Sequence, residues 1–347
     1  MKYYLKDIAK IKNGKKTILE DVGVKVYGSN GVIGFSKDSN APRNSIIIGR
    51  VGANTGSVFF SDEEHWVTDN AISVVPNNKI NPIYLFYLLK QKKLNRLAEG
   101  SAQPLVNQKI LNSFLIDIPS LEIQNKIADK LYKIDKKIEI NNKINTNLEK
   151  ISTEFFLNWL SNTHSDKKKS LDSIANYKNG LAMQKFRPVN IKESLPVVKI
   201  RELNQGHTDS NSDLCRKDID KSVQINTGDI IFSWSGTLLL DLWAGTEAGL
   251  NQHLFKVTSN DYPSWFIYEW TKYYLQEFQL IAESKATTMG HIKRSNLKES
   301  FAIIPNDNEL TKLNNLLGPI FDNKIKIRKQ NLILKQIKKQ LLAKLLN

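Results

Sequence analysis

The sequence predicts an α/β protein of the α+β kind: two mixed modules in pseudo-twofold repeat, separated by two long helices that form an antiparallel coiled coil. Three observations carry this reading. The opening Leu5-Lys6-Asp7-Ile8-Ala9 with Lys12-Asn13-Gly14 returns 166 residues later as Leu171-Asp172-Ser173-Ile174-Ala175 with Lys178-Asn179-Gly180. Later landmarks return at growing offsets, Asn81 to Tyr87 as Pro263 to Glu269 after 182 residues and Phe114 to Pro119 as Ser300 to Pro305 after 186. A framework repeated with longer loops in its second copy is a duplicated module. Finally, each copy ends in a heptad pattern.

Taken in order, each module opens with a short amphipathic helical stretch, Lys6 to Ile11 and Asp172 to Tyr177, and then becomes strand-rich. Val24 to Tyr27 and Val32 to Phe35 flank Gly28-Ser29-Asn30-Gly31, an apolar-turn-apolar pattern that predicts a hairpin. Ser45 to Ile48 and Ser57 to Phe60 flank a second glycine-rich turn, answered in the other copy by Asp229 to Phe232 and Leu238 to Leu240 around Ser233-Trp234-Ser235-Gly236. A helix is predicted from Pro82 to about Glu99, with Asn81 as its cap and Pro82 in its first turn, and a partner from Ser264 to about Ser284.

The first long helix is predicted over residues 120–160, after a module at 1–119. The polar stretch 161–170 reads as a linker into a second module at 171–305, and the second helix follows at 306–347. Ile127, Ile134, Asn141, Leu148 and Phe155 recur every seven residues, and adding 186 gives Leu313, Ile320, Ile327, Leu334 and Leu341. A second seam position holds Leu131, Ile138, Asn145 and Ser152, then Leu317, Lys324, Asn331, Lys338 and Leu345. Period 3.5 with apolar seams is the coiled-coil signature, and polar seam residues fix register. One helix delivers the chain to the second module and the other has to return, so the pairing is predicted to be antiparallel. At about 1.5 Å per residue such helices span roughly 50 to 60 Å, which makes the expected molecule a caliper.

Composition bounds the function. Fifty Lys and Arg against 35 Asp and Glu give a net charge of +15, which suggests a polyanionic partner. Arginines number only eight, and from Asn323 onward there is no acidic residue. Cys215 is the single cysteine, which excludes an internal disulfide. No apolar run approaches the roughly 18 residues needed to cross a bilayer, so a cytoplasmic protein without a membrane partner is expected.

Catalytic motifs are missing. Gly49-Arg50-Val51-Gly52-Ala53-Asn54-Thr55-Gly56 resembles a nucleotide loop only superficially, since no Gly-Lys-Ser/Thr follows and the next segment is strand-like. Its glycines are expected to bring Arg50, Asn54 and Thr55 to a surface. Asn81-Pro82-Ile83-Tyr84 lacks the second proline of a base methyltransferase motif, and Asp135-Lys136-Lys137 and Asp166-Lys167-Lys168 sit on a coil and in a linker. The five histidines include no pair at metal-binding spacing, so no metal site is expected. The chain reads as a binder.

The same landmarks resemble the specificity (S) subunits of type I restriction-modification systems. Besides the module openings and heptad helices, they include Tyr27-Gly28-Ser29-Asn30-Gly31, Val67-Thr68-Asp69-Asn70-Ala71, Asn251-Gln252-His253-Leu254-Phe255, Gly100 to Pro104 and Ala286 to Ile292. The resemblance covers the whole chain. It implies two target recognition domains, each reading one half of a bipartite duplex DNA target, with the coil setting the gap. It also implies two methyltransferase (M) subunits docked on the chain and restriction (R) subunits completing the nuclease. S-adenosylmethionine, ATP and Mg are then expected only on those partners, and the S subunit itself is not an enzyme.

Base edges need donors and acceptors held at fixed geometry, so polar residues on glycine-permitted loops are the expected DNA-binding set. In the first module these are Ser29, Asn30, Arg50, Asn54, Thr55 and Gln103. In the second they are Lys199, Arg201, Asn204, Ser233, Trp234, Ser235, Thr287, Thr288, His291 and Lys293. The alternative is a coiled-coil scaffold whose two globular ends bind proteins, which the charge disfavours.

Overall fold

The computed structural model describes residues 1–97, 105–284 and 290–346. The chain forms two compact units, one of Met1–Lys137 with Lys335–Asn347 and one of Ile138–Leu334. Both long helices, Leu121–Asn162 of 42 residues and Asp307–Leu345 of 39, contribute to each unit.

In the first unit an antiparallel sheet runs in the order Ala9–Asn13, Ala71–Pro76, Ser45–Gly49, Val58–Ser61. The predicted hairpin is present, Val24–Gly28 against Gly31–Ser36, and Trp66–Val67 pairs in parallel with its first strand. Ser45–Gly49 is buried along its whole length, which is why Ile46, Ile47 and Ile48 form an unbroken apolar run rather than an alternating one. The helix Pro82–Gln91 starts as predicted, Asn81 Oδ1 accepting from Tyr84 N–H at 3.0 Å. It ends earlier than expected: Lys93 takes a left-handed φ of 49°, and a short 3-10 turn, Leu94–Leu97, follows. Leu85, Leu88 and Leu89 join Ile46, Ile72, Ile127 and Leu131 in the core, which Leu341, Leu342, Leu345 and Leu346 close from the end of the second long helix.

The second unit repeats this plan. Its main sheet runs Asn176–Asn179, Leu254–Thr258, Ile230–Ser233, Leu240–Leu242. A further four-stranded sheet, in the order Leu214–Arg216, Ser194–Val198, Ala248–Leu250, Gln224–Ile225, replaces the three-stranded one of the first unit. The predicted helix from Ser264 is two helices, Ser264–Tyr273 and Leu275–Glu283, sharing Tyr274 at their junction. The opening helices are single turns, Leu5–Ile8 and Leu171–Ile174; the first runs directly into a strand and the second does so after Ala175. Within the polar stretch after the first long helix, Lys168–Ser170 pairs with Phe301–Ile303.

The long helices pair antiparallel. Within the second unit, Glu149 meets Lys324 while Asn141 meets Asn331, so one number falls as the other rises. Asn141 Nδ2 donates to Asn331 Oδ1 and Gln330 Oε1, both at 2.8 Å, and Asn331 Nδ2 donates to Asn142 Oδ1 at 2.8 Å. In the first unit Lys338 Nζ contacts Asp135 at 2.5 and 2.6 Å, and the Tyr87 hydroxyl donates to the same carboxylate at 2.6 Å.

One seam residue is corrected. Phe155 is 40% exposed, and Phe156 takes the buried place beside Trp270. A straight helix drifts about 20° per heptad from a 3.5 repeat, so over the heptads from Ile127 the drift is about 80° and the next residue inherits the face.

Candidate nucleic-acid interface

The first unit gathers its predicted loop residues around the end of strand Ser45–Gly49. Arg50 N–H donates to the Asn70 carbonyl at 3.1 Å, and the Arg50 carbonyl accepts from Val106 N–H at 3.1 Å. Ser29, at the hairpin tip, donates its hydroxyl to the same Asn70 carbonyl at 2.6 Å and accepts from Val51 N–H at 3.3 Å. Gly49 is required by this crowding, because a Cβ there would stand 2.6 Å from the Ser29 carbonyl and 2.9 Å from that of Asn54.

The second unit is stitched in the same way. Trp234 N–H donates to the His253 carbonyl at 3.3 Å, and the Trp234 carbonyl accepts from Ile292 N–H at 3.0 Å. Backbone bonding therefore makes Arg50 equivalent to Trp234, Asn70 to His253, and Val106 to Ile292. This pairing of positions comes from long-range hydrogen bonds and has no signature in local sequence.

Side chains divide into those that face out and those that do not. Asn30, Asn54, Lys199, Arg201, Asn204 and Lys293 are exposed. Lys199 is ion-paired with Asp213, while Arg201 is held by Glu202 and Asp209. Those carboxylates raise the Arg201 pKa, so its charge is fixed. Arg50 is partly buried; its Nη1 donates to the Asp69 carbonyl at 3.3 Å, and its Nε is buried without a hydrogen bond.

Three expectations are corrected by burial. Thr55 is 7% exposed and its hydroxyl donates to the Gly52 carbonyl at 2.7 Å, closing the turn from inside. Ser233 is fully buried, with its hydroxyl on the Ser235 carbonyl at 3.1 Å, because it ends a strand whose both faces are covered. Ser235 is 3% exposed, and its hydroxyl lies 2.8 Å from His253 Nδ1, where it orients that ring. Trp234 is half-buried against Phe255, His253 and His291, with ring centroids 5.7, 6.1 and 6.4 Å away. Gln103, Thr287 and Thr288 lie outside the described residues.

Other residues of the site were not singled out from the sequence. Gln184, Arg187, Gln252 and His253 join Lys199 and Asn251 around a cleft of about 510 Å³. His253 and Gln252 belong to the Asn251 to Phe255 landmark, which was the available signal. His65 is different: it is buried, which lowers its pKa, and its ring nitrogens lie 3.2 Å from the Ser45 hydroxyl and 2.9 Å from the Glu63 carbonyl. Among the described residues no cluster of His, Cys, Asp and Glu could hold a metal, and no helix is long and apolar enough to cross a membrane.

Residues 1–150 match the family model described as the type I restriction modification DNA specificity domain. The putative type I specificity subunit S.MpnORF289P N-terminus of Mycoplasma pneumoniae is 31% identical over 138 residues, covering 36% of this chain and 73% of that protein. The chain belongs to the type I specificity-subunit family. Another relative of this S subunit, the type I restriction enzyme MjaIX specificity subunit of Methanocaldococcus jannaschii, is 29% identical over 311 residues, spanning 79% of this chain and 70% of that one. The crystal structure of a type I restriction-modification system S subunit from M. genitalium shares the fold, with a TM-score of 0.66 at 16% identity over 99% of this chain and 95% of the other. The S-subunit fold thus includes both units and both long helices described above.

Proposed function

We propose that this S subunit reads a bipartite, gapped duplex DNA target, one half-site for each unit, while the antiparallel coil sets the gap. The observation that carries this is the repeated stitch at Arg50 and Trp234: two units build the same frame and fill it with different side chains. A common frame with different contents suits two half-sites of different sequence. Exposed Asn30, Asn54, Lys199, Arg201, Asn204 and Lys293 supply groups for base edges and phosphates.

The chain itself contributes no catalytic group in this reading. Two M subunits dock on it to methylate adenines, R subunits complete the nuclease, and S-adenosylmethionine, ATP and Mg stay with those partners. Ile140 and Ile144, one turn apart on the first long helix and 50% and 39% exposed, provide an apolar face suited to docking.

The test is co-expression with the cognate M subunit, followed by single-molecule mapping of modified adenines. A split motif with a fixed gap, absent without this chain, is expected. An active, bound M subunit with no such motif would overturn the reading and favour a protein-binding scaffold. Deleting one heptad from both long helices should change the gap and leave the half-sites intact; an unchanged gap would remove the coil from spacing.

A further inference from the structure

We propose that Asn70 and His253 are specificity-determining residues, one for each half-site, and that Arg50 and Trp234 beside them are positioning residues. This deepens the bipartite reading and rests on it.

A base-reading side chain needs an exposed polar group on a backbone that does not move, because one hydrogen bond discriminates between bases only at a fixed position. Asn70 meets that requirement. Its carbonyl is held from two different loops, by Arg50 N–H at 3.1 Å and by the Ser29 hydroxyl at 2.6 Å, while its side chain is exposed. An asparagine amide can give one bond and accept another, the pattern that matches the edge of adenine.

His253 holds the equivalent place. Its carbonyl accepts from Trp234 N–H at 3.3 Å. Its ring is fixed by the Ser235 hydroxyl at Nδ1 (2.8 Å), with the Gln252 amide 3.3 Å from Nε2 and the open cleft alongside. The imidazole edge is therefore oriented by groups of its own unit before any DNA arrives.

The neighbouring residues face the other way. The Arg50 guanidinium is turned back onto the Asp69 carbonyl, with Nε buried, and the Trp234 indole is packed on Phe255 with its own Nε1 buried. The Arg50 side chain acts through the Asp69 carbonyl, next to Asn70, and the Trp234 indole acts through the His253 ring 6.1 Å away.

The experiment uses the full chain with its M subunit and maps the methylation motif of Asn70→Ala and His253→Ala. Each variant should lose discrimination at one or two base positions by about tenfold or more. Asn70→Ala should act in one half-site only and His253→Ala in the other only, so the unaffected half reports that the chain is folded. Arg50→Lys and Trp234→Phe should lower the extent of methylation without changing either half-site. An unchanged motif in both alanine variants, or relaxed discrimination in both half-sites of either one, would overturn the proposal. If an alanine variant yields no modified site, Asn70→Ser or His253→Gln is mapped instead, and complete loss there too would assign the residue to folding. A wild-type chain without a bipartite motif would strike the underlying reading, whereas a bipartite wild type with unchanged variants strikes only this inference.

Discussion

Glu149 is one carboxylate answering two ammonium groups, those of Lys272 and Lys324, and the Lys324 side chain is only 1% exposed. Burial by itself would raise the Glu149 carboxyl, but Lys324 and Lys272 outweigh it and hold the carboxyl below the usual glutamate range. Removing one partner of a buried pair leaves the other charge uncompensated, so Glu149→Ala is expected to cost about 3 kcal/mol in denaturant unfolding. The pH dependence has a defined sign. A depressed carboxylate contributes stability that is present above its unfolded value and lost as pH falls through the lower folded one. The melting temperature of the parent chain should therefore fall on acidification below about pH 4.5, and Glu149→Gln should flatten that part of the profile. Glu269, hydrogen-bonded to Ser152 at 2.6 Å, runs oppositely: burial raises its carboxyl, so its contribution fades as pH rises through the raised value.

Among the elements, the long helices show how far a sequence pattern can be followed. Buried Ile127, Leu131, Asn141, Ser152, Leu313, Leu317, Lys324 and Asn331 stand where the heptads put them, since side-chain period alone fixes which face is covered. The pattern slips at Phe155 because a heptad count assumes constant supercoiling, whereas the helix end packs on a globular core. Phe156→Ala is expected to cost about 3 to 5 kcal/mol and Phe155→Ala less than about 1 kcal/mol, read from the same unfolding curves. Asn81 and the hairpin turn were legible because caps and tight turns are local chemistry. The sheet formed by Leu214–Arg216, Ser194–Val198, Ala248–Leu250 and Gln224–Ile225 was not, because strands of two to five residues, joined at offsets of up to 52 (Val197 with Gly249), carry no periodic signal. The site was legible as a set of loops; the inward turn of Thr55, Ser233 and Ser235 and the pinning of Asn70 and His253 depend on partners distant in sequence.

For the whole molecule, the net charge of +15 gives the DNA reading a quantitative consequence. Each phosphate contact releases counterions, so the logarithm of affinity for a duplex should fall linearly with the logarithm of salt concentration. A slope of magnitude about 4 or more is expected in anisotropy titrations from 50 to 200 mM salt, with competitor DNA present. A flat response would speak for a protein partner. Lys199→Ala and Lys293→Ala should reduce that slope and leave the motif unchanged if they meet phosphates.

Leu341, Leu342, Leu345 and Leu346 pack in the core that begins with Leu5 and Ile8. On a ribosome the first unit therefore waits, with part of its apolar surface uncovered, until the second unit has been made. The unit that opens earlier along the chain closes after the other one, and a chain stopped short of residue 335 would leave that core open although the second unit had all of its own residues.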